Sequence, residues 1–284
     1  MYFPRYWQRA TVAGPNREGK NVEAMAWGWS DVSAAEALEK ANLRARVLLA
    51  KLPIRGQPRT LYYEGRPFRE PVLEDLSRAG HQALLTRNSL GCDVLNTDAV
   101  GFADLDYDPP SVSFLAVLFG SGKKKLAEHR QAWEADALER LRAWQRDHPR
   151  WGLRVYRTAG GFRALLTSHL LPAESAEARQ WLQAVGSDPL YQRLCADQHS
   201  FRARLTPKPW RCRVPKPPVC FPYANPDDEK RMTDWLAAYR AKSQGLAICE
   251  HIETLGPSAV HPDIRPILDL HDSRTLVGSG LPLA

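Results

Sequence analysis

The stretch "VGFADLDYDPP", residues 100–110, sets Asp104, Asp106 and Asp108 at every second position behind an apolar run. On a strand this spacing points all three carboxylates to one face. Pro109-Pro110 then closes the strand. Like charges held this close repel, so the acidic face calls for something cationic opposite it. Mg²⁺ or Mn²⁺ is one candidate, because hard cations prefer carboxylate oxygen. Paired acids on one strand can hold one or two such ions and leave positions open for phosphate. A solvent-facing strand end running into a proline turn is the alternative reading of the same residues.

The pattern around this strand supplies its setting. Upstream, "ALLTRNS" and "CDVLNT" flank "LG" as a hairpin. Downstream, residues 125–147 carry Leu126, Trp133, Ala137, Leu141 and Trp144 on one helical stripe. "LRVYRTA" and "FRALLTS" flank a Gly-Gly turn as a second hairpin. A helix opened by Pro172 and acids buries Trp181, Leu182 and Val185 and stops at Gly186. "DPLYQRLCADQ" adds a short helix and "SFRARLT" a last strand. From residue 99 to 206 the order is β-α-β-β-α-β. That is the split-βαβ, ferredoxin- or RRM-like arrangement, an α+β fold with one antiparallel sheet and helices on one of its faces.

Strands near "YWQRATVAG" and "VEAMAWGWS", a "GPNREGKN" turn and a helix from Ala34 stopped by Pro53 form a small N-terminal ββα piece. "SAAE" at 33–36 reads as the capping box of that helix. The expected organisation is a subdomain over 1–55, a linker over 56–82, the α+β core over 83–208, and a Pro/Arg-rich segment, helix and irregular tail over 209–284.

Two basic features accompany the acids. In "YRTAGGFRALL", Thr158, Gly160, Gly161 and Arg163 make a hairpin whose backbone can approach a ligand closely, with an Arg suited to bidentate phosphate binding just beyond the turn. Between Gln198 and Asn225 there is no acidic residue, while Arg202 and Arg204 share one strand face and Lys208 follows. Phosphate or nucleic-acid backbone fits this set, with Trp210 as a stacking surface; pairing with the aspartates of a neighbouring strand fits it equally.

Whole-chain properties bound the alternatives. With 284 residues, 44% hydrophobic and 25% charged, the chain has globular composition, and 39 Lys+Arg against 32 Asp+Glu leave a net +7 compatible with an anionic partner. "MYFPRYWQRATV" lacks the apolar stretch of a leader, and "FLAVLF" at 114–119 is too short to span a bilayer. Five Cys at irregular spacing argue against a disulfide framework, so a cytoplasmic protein without membrane attachment is expected. "GSGKKK" at 120–125 lacks the Gly and Ser/Thr of a P-loop and reads as a mobile basic loop. Zinc at Cys212, Cys220, Cys249 and His251 is disfavoured by the C-x₇-C spacing.

In combination, "FADLDYD", a helix, "YRTAGGFRALL" and the last strand resemble archaeo-eukaryotic primases and primase-polymerases, over roughly residues 83–208. More narrowly, "RNS…VLNT" and "FRARLTPKPWRC" are similar to a divergent bacterial branch. The resemblance implies a primase-type core acting on DNA, RNA or nucleotides by divalent-metal-dependent nucleotidyl transfer. It implies Asp104 and Asp106 as Mg²⁺ or Mn²⁺ ligands with Asp108 auxiliary, and Thr158, Gly161 and Arg163 on nucleotide phosphates. Arg163 stands where that family carries His. Arg202 and Arg204 stand where it carries an acid, which leaves Asp188 as the candidate third catalytic carboxylate. With Arg202, Arg204 and Lys208 on phosphate, the other reading is a catalytically inactive nucleic-acid-binding or scaffold protein on the same fold.

Overall fold

The computed structural model describes residues 1–51, 67–110 and 121–284. The Pro53 helix stop, the first part of the expected linker (56–66) and the "FLAVLF" run lie outside the described residues. The chain divides into two compact units, Tyr2–Glu70 and Pro71–Ala284.

In the first unit, β1 (Tyr6–Pro15) and β2 (Asn21–Ser30) form a regular antiparallel hairpin, in register from Tyr6↔Ser30 to Pro15↔Asn21. The turn is closed by Asn16, whose side-chain oxygen accepts from the Glu18 and Lys20 amides. Helix α1 (Ala34–Lys51) lays Ala37, Ala41, Ala45 and Leu49 on the hairpin. Small residues are needed there: a Cβ on Gly28 would stand 2.1 Å from the Ala37 carbonyl oxygen. Ser33 caps α1 as expected, accepting from Glu36 N–H at 3.1 Å. Glu36 does not complete the box, because its carboxylate is taken by the Ser30 hydroxyl and Lys40.

The second unit is a mixed α+β body built on two antiparallel four-stranded sheets. One has the order β3 (Val72–Asp75), β4 (Ala83–Arg87), β5 (Asp93–Thr97), β9 (Phe201–Arg204); the other runs β10 (Cys249–Leu255), β7 (Leu153–Thr158), β8 (Gly161–Leu166), β6 (Phe102–Asp106). Five helices complete it: α2 (Ser121–Asp147), α3 (Ala176–Ala184), α4 (Pro189–Gln198), α5 (Pro226–Ser243) and α6 (Arg265–Arg274). The apolar faces of α2, α3, α4 and α6 share one core with β6, β7 and β8, in which Phe102, Leu105, Leu141, Leu153, Phe162, Leu165 and Trp181 are fully or almost fully buried, while α5 buries Met232, Trp235 and Tyr239 in a separate cluster.

The elements follow the expected β-α-β-β-α-β order, with β6, β8 and β7 adjacent, yet β9 does not join their sheet. Its ladder runs to β5, from Val94↔Arg204 to Thr97↔Phe201. The reason lies at the free edge of β6. The Asp104 carbonyl accepts from the Ser187 hydroxyl (2.9 Å) and the Asp188 amide (2.8 Å), and the Tyr191 hydroxyl lies 3.0 Å from the Phe102 carbonyl. That hydroxyl also accepts from the Arg202 amide, so a side chain stands where a direct strand ladder would run.

Three further expectations change. The basic Lys123–Lys125 run belongs to the opening of α2, not to a loop. The C-terminal region is not an irregular wrap: β10 pairs with β7, and Ile267, Leu268 and His271 of α6 are buried. Strand β3 forms inside the stretch expected as linker. Among the described residues no helix is long and apolar enough to cross a membrane.

Candidate functional site

Strands β6 and β8 pair with Asp104 opposite Arg163 and Asp106 opposite Gly161. This register fixes the chemistry, because it brings the first aspartate against the hairpin arginine. Arg163 Nε donates to Asp104 Oδ1 at 2.8 Å, and Nη2 lies 3.5 Å from Oδ2. The Arg163 side chain is only 2% exposed against 23% for Asp104, so the pair forms the floor of a cleft, not a surface bridge. Burial works against the Arg163 charge, but Asp104 beside it more than compensates and holds its pKa above the usual value.

The same guanidinium joins the rest of the body to this floor. Nη1 donates to the Arg204 carbonyl on β9 at 3.0 Å and lies 3.7 Å from Cys249 Sγ and 3.4 Å from His271 Nε2. Arginine can only donate, so His271 Nε2 accepts, and its Nδ1 carries the proton to Asp272 Oδ1 at 3.0 Å. Asp272 is further held by the Tyr156 hydroxyl (2.7 Å) and by Arg154 (2.8 Å).

Above this floor opens a pocket lined by Asp104, Asp106, Arg163, Arg204, Lys208 and Arg211, with the Thr158–Gly160 turn as one wall. The cleft spans about 420 Å³ counting its open mouth. Gly160 leaves the room: a Cβ there would sit 3.1 Å from Asp106 Oδ1. Gly161 is needed for the strand approach itself, since its Cβ would meet the Leu105 carbonyl at 2.0 Å.

The electrostatics of the pocket are lopsided. Among the described residues, Arg204, Lys208 and Arg211 make no ion pair within 4 Å. Desolvation, then Arg204 and Arg211, hold the Lys208 ammonium below the usual lysine value, with Asp106 opposing. Arg211 is lowered by desolvation and by Arg204 and Arg130. Asp106 opens to solvent at the mouth, yet the walls limit its hydration. That desolvation and the nearby Asp104 charge raise its pKa, against the pull of Lys208.

Of the sequence-derived candidates, Asp104, Asp106, Thr158, Arg163, Arg204 and Lys208 converge on this pocket. Thr158 shapes the turn by accepting from the Gly160 and Gly161 amides, which are thereby not offered to a ligand. Asp108 lies past the end of β6 and does not line the pocket. Asp188 is near enough to raise the Asp106 pKa, but its carboxylate caps α4 by accepting from Tyr191 N–H at 2.8 Å. Arg202 is turned toward Gln198 of α4. Cys212 packs with Met232, Trp235 and Tyr239, whereas Cys249 belongs to the main core, so these thiols do not converge.

Gly160 of the expected ligand-approaching hairpin lines the pocket too, as do Arg211 and Ile248, which sequence reading did not single out as site residues. The acid-free basic window contained Arg211, but nothing in that window says that the chain turns back over β6. The two-metal centre that a primase resemblance implies would need Asp104 released from Arg163. Asp104 is committed to Arg163, Asp108 is displaced, Asp188 is a helix cap, and no cluster of three His, Cys, Asp or Glu suited to a metal occurs among the described residues. Comparison of the chain with protein-family models, with curated proteins and with solved structures finds no match.

Proposed function

We propose that the protein binds phosphate groups of nucleic acid or nucleotides in the pocket between β6, β8 and the Arg204–Arg211 segment, on a core of primase type. The observation that carries this reading is the convergence of Arg204, Lys208 and Arg211 without an ion-pair partner among the described residues. Cations held together in a partly desolvated cleft destabilise one another, and an anion that enters relieves both their repulsion and their lost hydration. Arginine supplies forked donors for phosphate oxygens, and the lysine a compact charge. The role of Asp104 and Arg163 is then to build a rigid floor, with Arg163 fixed so that it does not compete for the ligand.

Titration of the full chain with inorganic phosphate and pyrophosphate in a calorimeter tests this. Binding is expected for the wild type and a loss of at least about tenfold for Lys208→Ala, the order of one charge-assisted hydrogen bond. Equal affinity in the two proteins would remove the proposal.

Divalent-metal-dependent nucleotidyl transfer is the second reading, favoured by Asp104 and Asp106 facing the same pocket from one strand. It requires Asp104 to leave Arg163. Its readout is thermal stability with and without Mn²⁺: stabilisation abolished by Asp106→Asn supports it, and no Mn²⁺ effect in either protein excludes it.

A further inference from the structure

Of the nine tryptophans in the chain, eight are buried or half-buried, and Trp210 alone is 53% exposed. It adjoins the pocket without lining it. The 3₁₀ turn Pro209–Cys212 sets it between two lining residues, Lys208 and Arg211, and the Lys208 ammonium lies 5.5 Å from its ring centroid. Cys212 and Pro209 are buried, and the Arg211 amide donates back to the Lys208 carbonyl at 2.8 Å, so the turn holds the indole in place outside the cleft. An exposed indole beside a cationic pocket offers a flat face on which an aromatic base can stack while its phosphate meets the cations.

The pocket also limits the ligand's charge and shape. Its lining side chains comprise four cations and two carboxylates, so positive charge is in excess. A phosphate monoester near neutral pH carries close to two negative charges, an internal phosphodiester one. The cleft is floored by the buried Arg163–Asp104 pair. A cleft closed at its floor suits a terminal phosphate entering end-on better than a strand threading through.

Resting on the phosphate reading above, we infer that the ligand is a nucleoside phosphomonoester, free or at the end of a single strand, whose phosphate enters the cleft while its base stacks on Trp210. Aromatic stacking of this kind tolerates any base, because each presents a π-face.

The test measures affinities of the full chain for inorganic phosphate, ribose 5-phosphate, AMP, and a short single-stranded oligonucleotide with a 5′-phosphate or a 5′-hydroxyl. AMP or the phosphorylated strand is expected to bind more tightly than ribose 5-phosphate. Trp210→Ala should weaken that binding about 5- to 100-fold, while inorganic phosphate changes less than about twofold and Trp210→Phe recovers most of the loss. Tighter binding of the phosphorylated strand than of AMP assigns the strand end; the reverse assigns the free nucleotide. If inorganic phosphate binds but AMP and the strand bind no better than ribose 5-phosphate, or Trp210→Ala leaves them unchanged, the stacking inference is overturned and the phosphate reading stands. Equal binding of the hydroxyl-ended strand overturns the monoester. If no phosphate compound binds, both fall.

Discussion

Asp104 and Asp106 are two residues apart on one strand, share a face and have different chemistry. Asp104 stands opposite Arg163 and neutralises a guanidinium with almost no access to water. Removing one member of such a pair leaves the other charge buried alone, which costs far more than the pair contributes. Asp104→Asn is therefore expected to lose about 3 kcal/mol of stability in urea denaturation, toward the lower end of the usual range because Asp104 is partly open. A loss below about 1 kcal/mol would show that the floor is not held this way. Lys208 gives a prediction in pH. Its pKa in the fold lies below the ordinary lysine value, through desolvation and then Arg204 and Arg211. The fold thus holds this proton less tightly than the unfolded chain does. The penalty is present while Lys208 is charged and fades as pH rises through its folded value. A bound phosphate acts in the opposite sense, so its affinity should fall as Lys208 discharges, beginning below the ordinary lysine pKa of about 10.4. Lys208→Arg should remove that alkaline fall in a pH series of titrations; an unchanged fall would assign it to another group. The one-face geometry of the aspartates was legible from their spacing alone. That Arg163 is the counter-charge was not, because the β6–β8 register is long-range and places Asp104 59 residues from its partner.

At the scale of elements, the two hairpins, the long helix and the α3–α4 pair follow the periodicity and turn residues of the sequence. Trp181 and Leu182 are buried as their spacing requires, and Gly186 ends its helix with φ 74°. What was not legible is why β9 leaves the expected sheet. A tyrosine hydroxyl and a loop amide occupy the edge of β6, and no local pattern announces that. The C-terminal elements were legible but masked. Ile264, Ile267, Leu268 and His271 recur at helical spacing, but Pro262 and Pro266 argue for a loop until Pro266 is placed in the first turn, where proline is tolerated. Helix α6 carries the far end of the Arg163 relay, and acid should test it. Burial chiefly lowers the His271 pKa, with Arg163 acting in the same sense and Asp272 opposing. A base with a depressed folded pKa favours the fold while neutral. Stability is therefore whole above the ordinary His value of about 6.5 and is lost as pH falls from there toward the folded value. His271→Gln should flatten this part of the stability curve at some cost in stability at pH 8, and an unchanged slope would place the acid sensitivity elsewhere.

On the scale of the molecule, an α+β body gathers into one cleft residues from β6, the β7–β8 hairpin, β9 and the turn that follows it. Three of the four acids that the sequence offers to a metal are drawn off individually, to an arginine, to a helix cap and beyond the strand end, and Asp106 stays in the pocket. The basic residues are left facing a common space. The net +7 of the chain is compatible with an anionic partner, but only the fold shows which cations are paired and which converge. The measurement that bears most directly on this is thermal unfolding of the full chain in phosphate and in chloride at matched ionic strength. The wild type and the Lys208→Ala/Arg211→Ala double variant are compared. Phosphate should raise the wild-type midpoint progressively with concentration, as ligand linkage requires, and leave the double variant at its chloride value. Equal midpoints of the wild type in the two salts, or the same phosphate gain in both proteins, would contradict a phosphate site in this cleft.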